Sequence, residues 1–291
     1  MRNGYVTGVV LWVSSLTAVS AQAGWPGDYG PKCPPDSVKV GATCIDKYEA
    51  SLWYVPAGTM ATSAGKGLVK KIQSGKVTLA DLTNGGATQL SVAGGCTPAI
   101  PPNFPADGNW TPFALIAPST PGVYAVSIPG VLPAGCVTWF QAEQACALSN
   151  KRLIRNQEWQ RAAASTPDPG ALDNGSTTCV TNSGAPQNSG SRSACQSVWG
   201  VFDLVGNVWE WTGDWSDLSS STCTDWTTQT GIAGSDYACF GGDGATAAAK
   251  VPGAIVRGGS YLNGVSDGVF AIRANFRPSD SFGNIGFRCA R

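Results

Sequence analysis

The chain has 291 residues, 19 basic against 19 acidic, and so no net formal charge. With no basic run along it, nothing points to nucleic acid or an anionic membrane as partner. Histidine is absent, which excludes His-based triads and His-ligated zinc or iron.

Residues 1–23 read as a secretory signal: Arg2 starts it, Val6 to Ala18 is a short apolar run, and Ala21-Gln22-Ala23 is a small-x-small cleavage site. The run is too short and too interrupted for a transmembrane helix, so no membrane span is expected after cleavage near Gly24. The expected location is secreted, periplasmic or cell-surface, in a bacterium. All ten cysteines follow this point and none form a CxxC pair. An even count in an exported chain argues for disulfides, not metal thiolates.

Glycine (37) and proline (19) are abundant, which predicts a loop-rich chain with few helices. Residues 52–135, rich in Gly, Thr and Ala, read as hairpins and loops around a helix near Leu68 to Leu82. Thr138 and Gln141 have capping-box spacing ahead of a helix over Trp139 to Leu148. Trp139, Ala142, Ala145 and Cys146 share its buried face, and Asn150 is a left-handed stop. A second helix is predicted from Gln157 to about Ala164, capped by Asn156 and ended before Pro167.

Four segments carry a family likeness: Lys151-Arg152-Leu153-Ile154-Arg155-Asn156-Gln157-Glu158-Trp159, Gly206-Asn207-Val208-Trp209-Glu210-Trp211, Arg257-Gly258-Gly259-Ser260-Tyr261, and Gly286-Phe287-Arg288-Cys289-Ala290-Arg291. Together they resemble the sulfatase-modifying-factor family, that of formylglycine-generating enzyme. The resemblance implies one α+β, C-type-lectin-like domain over residues 24–291, loop-rich and disulfide-bridged, with 52–135 as an insertion. Ile45-Asp46-Lys47-Tyr48-Glu49-Ala50-Ser51 is similar to the family's opening strand.

In the family, two cysteines five residues apart bind copper and handle the substrate thiol; here those positions read Asn263 and Gly268. Copper(I) needs soft sulfur ligands, so copper is not expected and no catalytic residue is assigned. Trp209 and Ser260 match the family's pocket lining. A second family bridge is missing, one of its positions being Arg273. The resemblance pairs Cys146 with Cys289. The others fall into short-range couples, Cys33 with Cys44, Cys96 with Cys136, Cys179 with Cys195 and Cys223 with Cys239, although connectivity does not follow from sequence alone.

The resemblance also implies a structural calcium ion held by Asp203, Gly206, Val208 and Glu210, where hard oxygens on a tight turn suit the ion. The alternative is that Asp203 and Glu210 only cap that turn. The stretch from Tyr261 to Asn284 resembles the variable region of proteins diversified by retroelements. It implies a binding face of Tyr261, Asn263, Asp267, Arg273, Asn275, Phe276, Arg277, Asp280 and Phe282 pointing outward; the alternative is an ordinary polar loop.

Three functions remain open. The first is a non-catalytic ligand-binding or structural module for a protein or glycan. The second is a formylglycine-generating oxidase acting on a sulfatase cysteine with oxygen. The third is a carbohydrate-binding surface protein using Trp53, Trp110 and Trp226.

Overall fold

The computed structural model describes residues 32–95, 101, 104–106, 122–216, 224–225, 235–239 and 252–291. The expected signal, Cys96, Cys223, Trp110 and Trp226 lie outside the described residues. The described chain opens with an antiparallel hairpin, β1 (Ser37–Val40) and β2 (Thr43–Asp46), tied by the Cys33–Cys44 disulfide. Strand β3 (Ser51–Val55) leads into α1 (Ala57–Met60), α2 (Ser63–Gln73) and α3 (Leu79–Asn84). The single helix expected near Leu68 to Leu82 is two. Gly75 at φ +66 leaves helical space, and a Thr78–Asp81 capping box starts the next helix.

Strands β4 (Thr88–Leu90) and β5 (Gly122–Val126) flank β3 antiparallel. Leu68, Val69 and Ile72 of α2 and Leu82 of α3 pack with Trp53 and Tyr124 of this sheet. Trp53 is therefore not a surface contact. It is 3% exposed, covered by those helices, and its indole N–H donates to Ser51 Oγ at 3.0 Å.

Helix α4 (Trp139–Leu148) has the expected box: Thr138 Oγ1 accepts the Gln141 N–H at 3.2 Å, and Gln141 Oε1 accepts the Thr138 N–H at 3.1 Å. Ala142, Ala145 and Cys146 are fully buried, and Asn150 ends the turn at φ +59. Strand β6 (Arg152–Leu153) precedes α5 (Asn156–Ala162), which begins one residue earlier than expected. Its cap is Arg155, not Asn156. Glu158, gripped by both Arg152 guanidinium nitrogens at 2.7 Å, accepts the Arg155 N–H at 3.0 Å.

Six further strands are β7 (Trp209–Ser216), β8 (Thr224–Asp225), β9 (Tyr237–Cys239), β10 (Gly253–Arg257), β11 (Ile272–Phe276) and β12 (Ile285–Phe287). They form one mixed sheet in the order β12-β7-β10-β11-β9-β8. Strand β13 (Cys289–Ala290) joins β2 and β6 instead, in the sheet β1-β2-β13-β6. Trp209, Trp211, Val256 and Phe287 meet Leu52, Val123 and Phe104 in the largest core cluster. The Cys146–Cys289 disulfide pins α4 to β13, and Cys179–Cys195 closes a loop against Val205. Cys136 is also disulfide-bonded, and no cysteine among the described residues is free. No helix among the described residues is long and apolar enough to cross a membrane.

Candidate functional site

Beneath the sheet, the turn before β7 places Asp203 at φ +58, Gly206 at φ +76 and Asn207 at φ +56, left-handed positions that need outside support. Asn207 has it: its Nδ2 donates to Glu49 Oε2 at 2.6 Å and its Oδ1 accepts the Gln187 N–H at 2.9 Å. Asp203 Oδ2 accepts the Gly190 N–H at 2.6 Å. Glu210 is clamped by Arg288, whose Nε reaches both carboxylate oxygens at 2.9 and 2.8 Å, while Trp159 Nε1 donates to Oε2 at 2.7 Å. Both Glu210 oxygens are thus engaged by N–H donors. Glu49, Asp203 and Glu210 share this interior with one guanidinium. Burial, and then neighbouring carboxylates, hold the Glu49 acid well above its ordinary range; burial above all pushes Asp203 up to about 7.

The loop after β10 packs onto Trp209. Ser260 Oγ donates to Asn263 Oδ1 at 2.6 Å, Trp209 Nε1 donates to the same oxygen at 3.0 Å, and Asn284 Nδ2 reaches Ser260 Oγ at 3.4 Å. Trp209 and Ser260, the expected pocket lining, and Asn263, at the first cysteine position of the resemblance, are thus brought together by one carboxamide oxygen. At the second position, Gly268 sits at φ +148, and a Cβ there would overlap the carboxylate of Asp236. The positions that the resemblance assigns to two thiols thus carry a carboxamide and a glycine set against a carboxylate, and such hard donors do not suit copper(I). Replacing Gly268 by Ala strains the backbone and displaces Asp236, so a loss of about 1–3 kcal/mol is expected. An unchanged urea midpoint for that variant would contradict this account.

The expected outward face divides in two. Arg273, Phe276 and Phe282 form one half-exposed patch with Tyr237 and Trp209. The Arg273 guanidinium lies 4.4 Å over Phe276, 5.7 Å over Tyr237 and 5.9 Å over Trp209, and Phe276 and Phe282 are 5.5 Å apart. Arg277 and Asp280 close a partly exposed turn, with the Arg277 N–H on Asp280 Oδ2 at 2.8 Å. Tyr261, Asp267 and Asn275, by contrast, are buried, not displayed. A bulge between Ala254 and Val256 breaks the alternation of β11, so Arg273 and Phe276 turn outward and Asn275 inward. Tyr261 is held by backbone bonds to Asn207 and Gly184, and Asp267 by the Ser260 N–H.

Sequence reading missed Asp236 and Tyr237, which lie outside the four motif segments. It also missed an aromatic group at the end of β7. Trp215, 44% exposed, lies 5.0 Å from Trp139 and 6.1 Å from Phe140, edge to face with both.

A family model described as a sulfatase-modifying factor enzyme 1-like domain matches residues 110–291. The chain is 38% identical over 94 residues to a formylglycine-generating enzyme of Streptomyces coelicolor, a match covering 31% of this chain and 25% of that one. It is 31% identical over 163 residues to hercynine oxygenase of Mycolicibacterium smegmatis, covering 53% of this chain and 35% of the other. The chain thus spans only about a quarter to a third of the length of these relatives. Among solved structures, Major Tropism Determinant I1 variant aligns with a TM-score of 0.44 at 21% identity, over 88% of this chain and 52% of that one. PvdO from Pseudomonas aeruginosa aligns at 0.41 and 18% identity, over 86% and 80%.

Proposed function

Because the chain belongs to the sulfatase-modifying factor family, with its α+β, C-type-lectin-like fold, we propose that it uses that scaffold to bind a ligand and not to oxidise a thiol. One observation supports the reading: Asn263 and Gly268 stand at the positions that the resemblance assigns to the copper thiols, Asn263 bonded to Trp209 and Gly268 packed against the Asp236 carboxylate. The half-exposed Arg273–Phe276–Phe282 patch beside it supplies the rigid aromatic and Arg groups that dominate binding energy. The disulfides suit an oxidising compartment, and the reading includes export to the periplasm or cell surface, with a protein or glycan ligand.

The purified chain is expected to retain no copper(I) after buffer exchange and to form no aldehyde on a sulfatase-type cysteine peptide. Stoichiometric copper together with peptide aldehyde would overturn the reading. Ligands selected from peptide-display and glycan arrays should bind about thirtyfold or more weakly to Arg273→Ala or Phe276→Ala, the loss typical of a hot-spot residue. A second reading, sugar stacking, rests on the exposed Trp215 group, and there Trp215→Ala would be the variant that silences a glycan array.

A further inference from the structure

We propose that Asp236 and Asp267 form a site for a hard divalent cation, set in the pocket that the family uses for its thiols. This names a ligand for the same site and rests on the reading that the pocket binds and does not oxidise.

The placement of the two carboxylates comes first. Asp267 follows a 3-10 turn (Gly264–Ser266) and is fully buried. Its Oδ1 accepts the Ser260 N–H at 2.7 Å, while its Oδ2, also buried, has no hydrogen-bond partner. Asp236 is 3% exposed and accepts the Phe270 N–H on Oδ2 at 2.9 Å. Both carboxylates press on one loop at its glycines: a Cβ on Gly259 would overlap Asp267, and one on Gly268 would overlap Asp236. The missing Cβ at those two positions is what lets the carboxylates lie against the loop.

Charge comes next. A buried carboxylate oxygen without a partner is costly, and a second carboxylate close by raises that cost. Burial first, then Asp168 and Asp236, pushes the Asp267 acid up to about 9; burial, with Asp168 adding, pushes Asp236 up to about 7. Asp168, whose charge acts on both, is itself exposed to solvent. The positive charge acting on Asp236 is that of Arg257, but its guanidinium lies 4.6 Å over Trp159 and donates to Gln160 and to the carbonyls of Val269, Phe270 and Ala271. It makes no hydrogen bond to either carboxylate. A cation between them would supply the missing countercharge.

The donor type sets the class. Every donor is oxygen, which favours Mg²⁺, Mn²⁺ or Ca²⁺ over copper or zinc. Among the described residues no three His, Cys, Asp or Glu side chains group around one point, so water and carbonyl oxygens would complete the shell. Ions that accept one or two carboxylates and keep bound water meet that description. The depth of burial favours a single atom over an organic amine.

The test uses the full chain, freed of metal by chelator and titrated with Mn²⁺ while the free-ion resonance is followed, with Mg²⁺ and Ca²⁺ as competitors. The expected result is one Mn²⁺ per chain. Asp267→Asn and Asp236→Asn should each weaken binding at least tenfold, while Asp81→Asn, in the cap of helix α3, should leave it unchanged. Thermal melting of each variant reports whether it folds, and Asp168→Asn, at an exposed residue, supplies a variant that leaves the interior intact; it should weaken binding two- to threefold. No Mn²⁺ uptake, or uptake indifferent to Asp236, Asp267 and Asp168, overturns the proposal. Copper-dependent peptide oxidation sinks the earlier reading whatever Mn²⁺ does, whereas a chain that takes up neither metal sinks only this one.

Discussion

Arg288→Met is expected to lower the free energy of unfolding by about 3–5 kcal/mol, the loss seen when one member of a buried ion pair is removed. Arg288 is wholly buried, and besides clamping Glu210 it donates to the carbonyls of Asp46 at 3.1 Å and Phe202 at 2.8 Å. A methionine fills much of the same volume but leaves Glu210 without its guanidinium partner and the Glu49, Asp203 and Glu210 cluster with only the charge of Arg192 acting on Asp203. Since a whole domain is stable by only about 5–15 kcal/mol, this variant should sit near its unfolding limit. Urea unfolding checks it, and a shift below about 1 kcal/mol would mean that water reaches the cluster. Pairing the change with Glu210→Leu should recover part of the loss, because the uncompensated charge goes too.

The same cluster fixes the direction of the pH dependence. Asp203 has its acid raised from an ordinary 3.8 to about 7 in the folded chain. The folded state therefore holds a proton that the unfolded state has released between those values. Its contribution is fully present below 3.8 and lost as pH rises through about 7. Asp46, raised by burial to about 6, acts in the same direction. The melting temperature of the metal-free chain should fall from pH 5 to pH 8.

Much of this arrangement was legible in the residues. The Thr138–Gln141 box, the left-handed Asn150 and the pocket residues Trp209 and Ser260 are local or motif-borne signals, and local signals survive in a single sequence. The outward face was only half legible. The resemblance marks the segment but not the side each residue takes, and the bulge opposite Ala254 and Val256 turns Asn275 inward. Trp53 was misplaced for a similar reason, since the helices covering it lie in a stretch with little likeness to any motif. Asp236 was invisible because it meets Gly268 only through folding. A glycine at a cysteine position looks like a simple loss until the carboxylate beside it is seen.

Breaking the Cys146–Cys289 disulfide, as a double Ala variant, is expected to remove on the order of 5 kcal/mol at most, because it closes a loop 143 residues long. The effect should reach beyond stability. Cys289 is adjacent to Arg288 and lies in β13, whose short pairing with Leu153 and Arg152 of β6 is what the bond reinforces. Two residues upstream, Phe287 ends β12, which pairs in parallel with Trp209, Glu210 and Trp211. Freeing β13 therefore loosens the guanidinium that neutralises Glu210 and, through β7, the indole that holds Asn263 in the pocket. The double variant should melt well below the wild type and also bind ligand more weakly at temperatures where it remains folded. If stability falls while the ligand affinity stays at the wild-type value, the disulfide acts on the unfolded chain alone and the pocket is held by β7 without it.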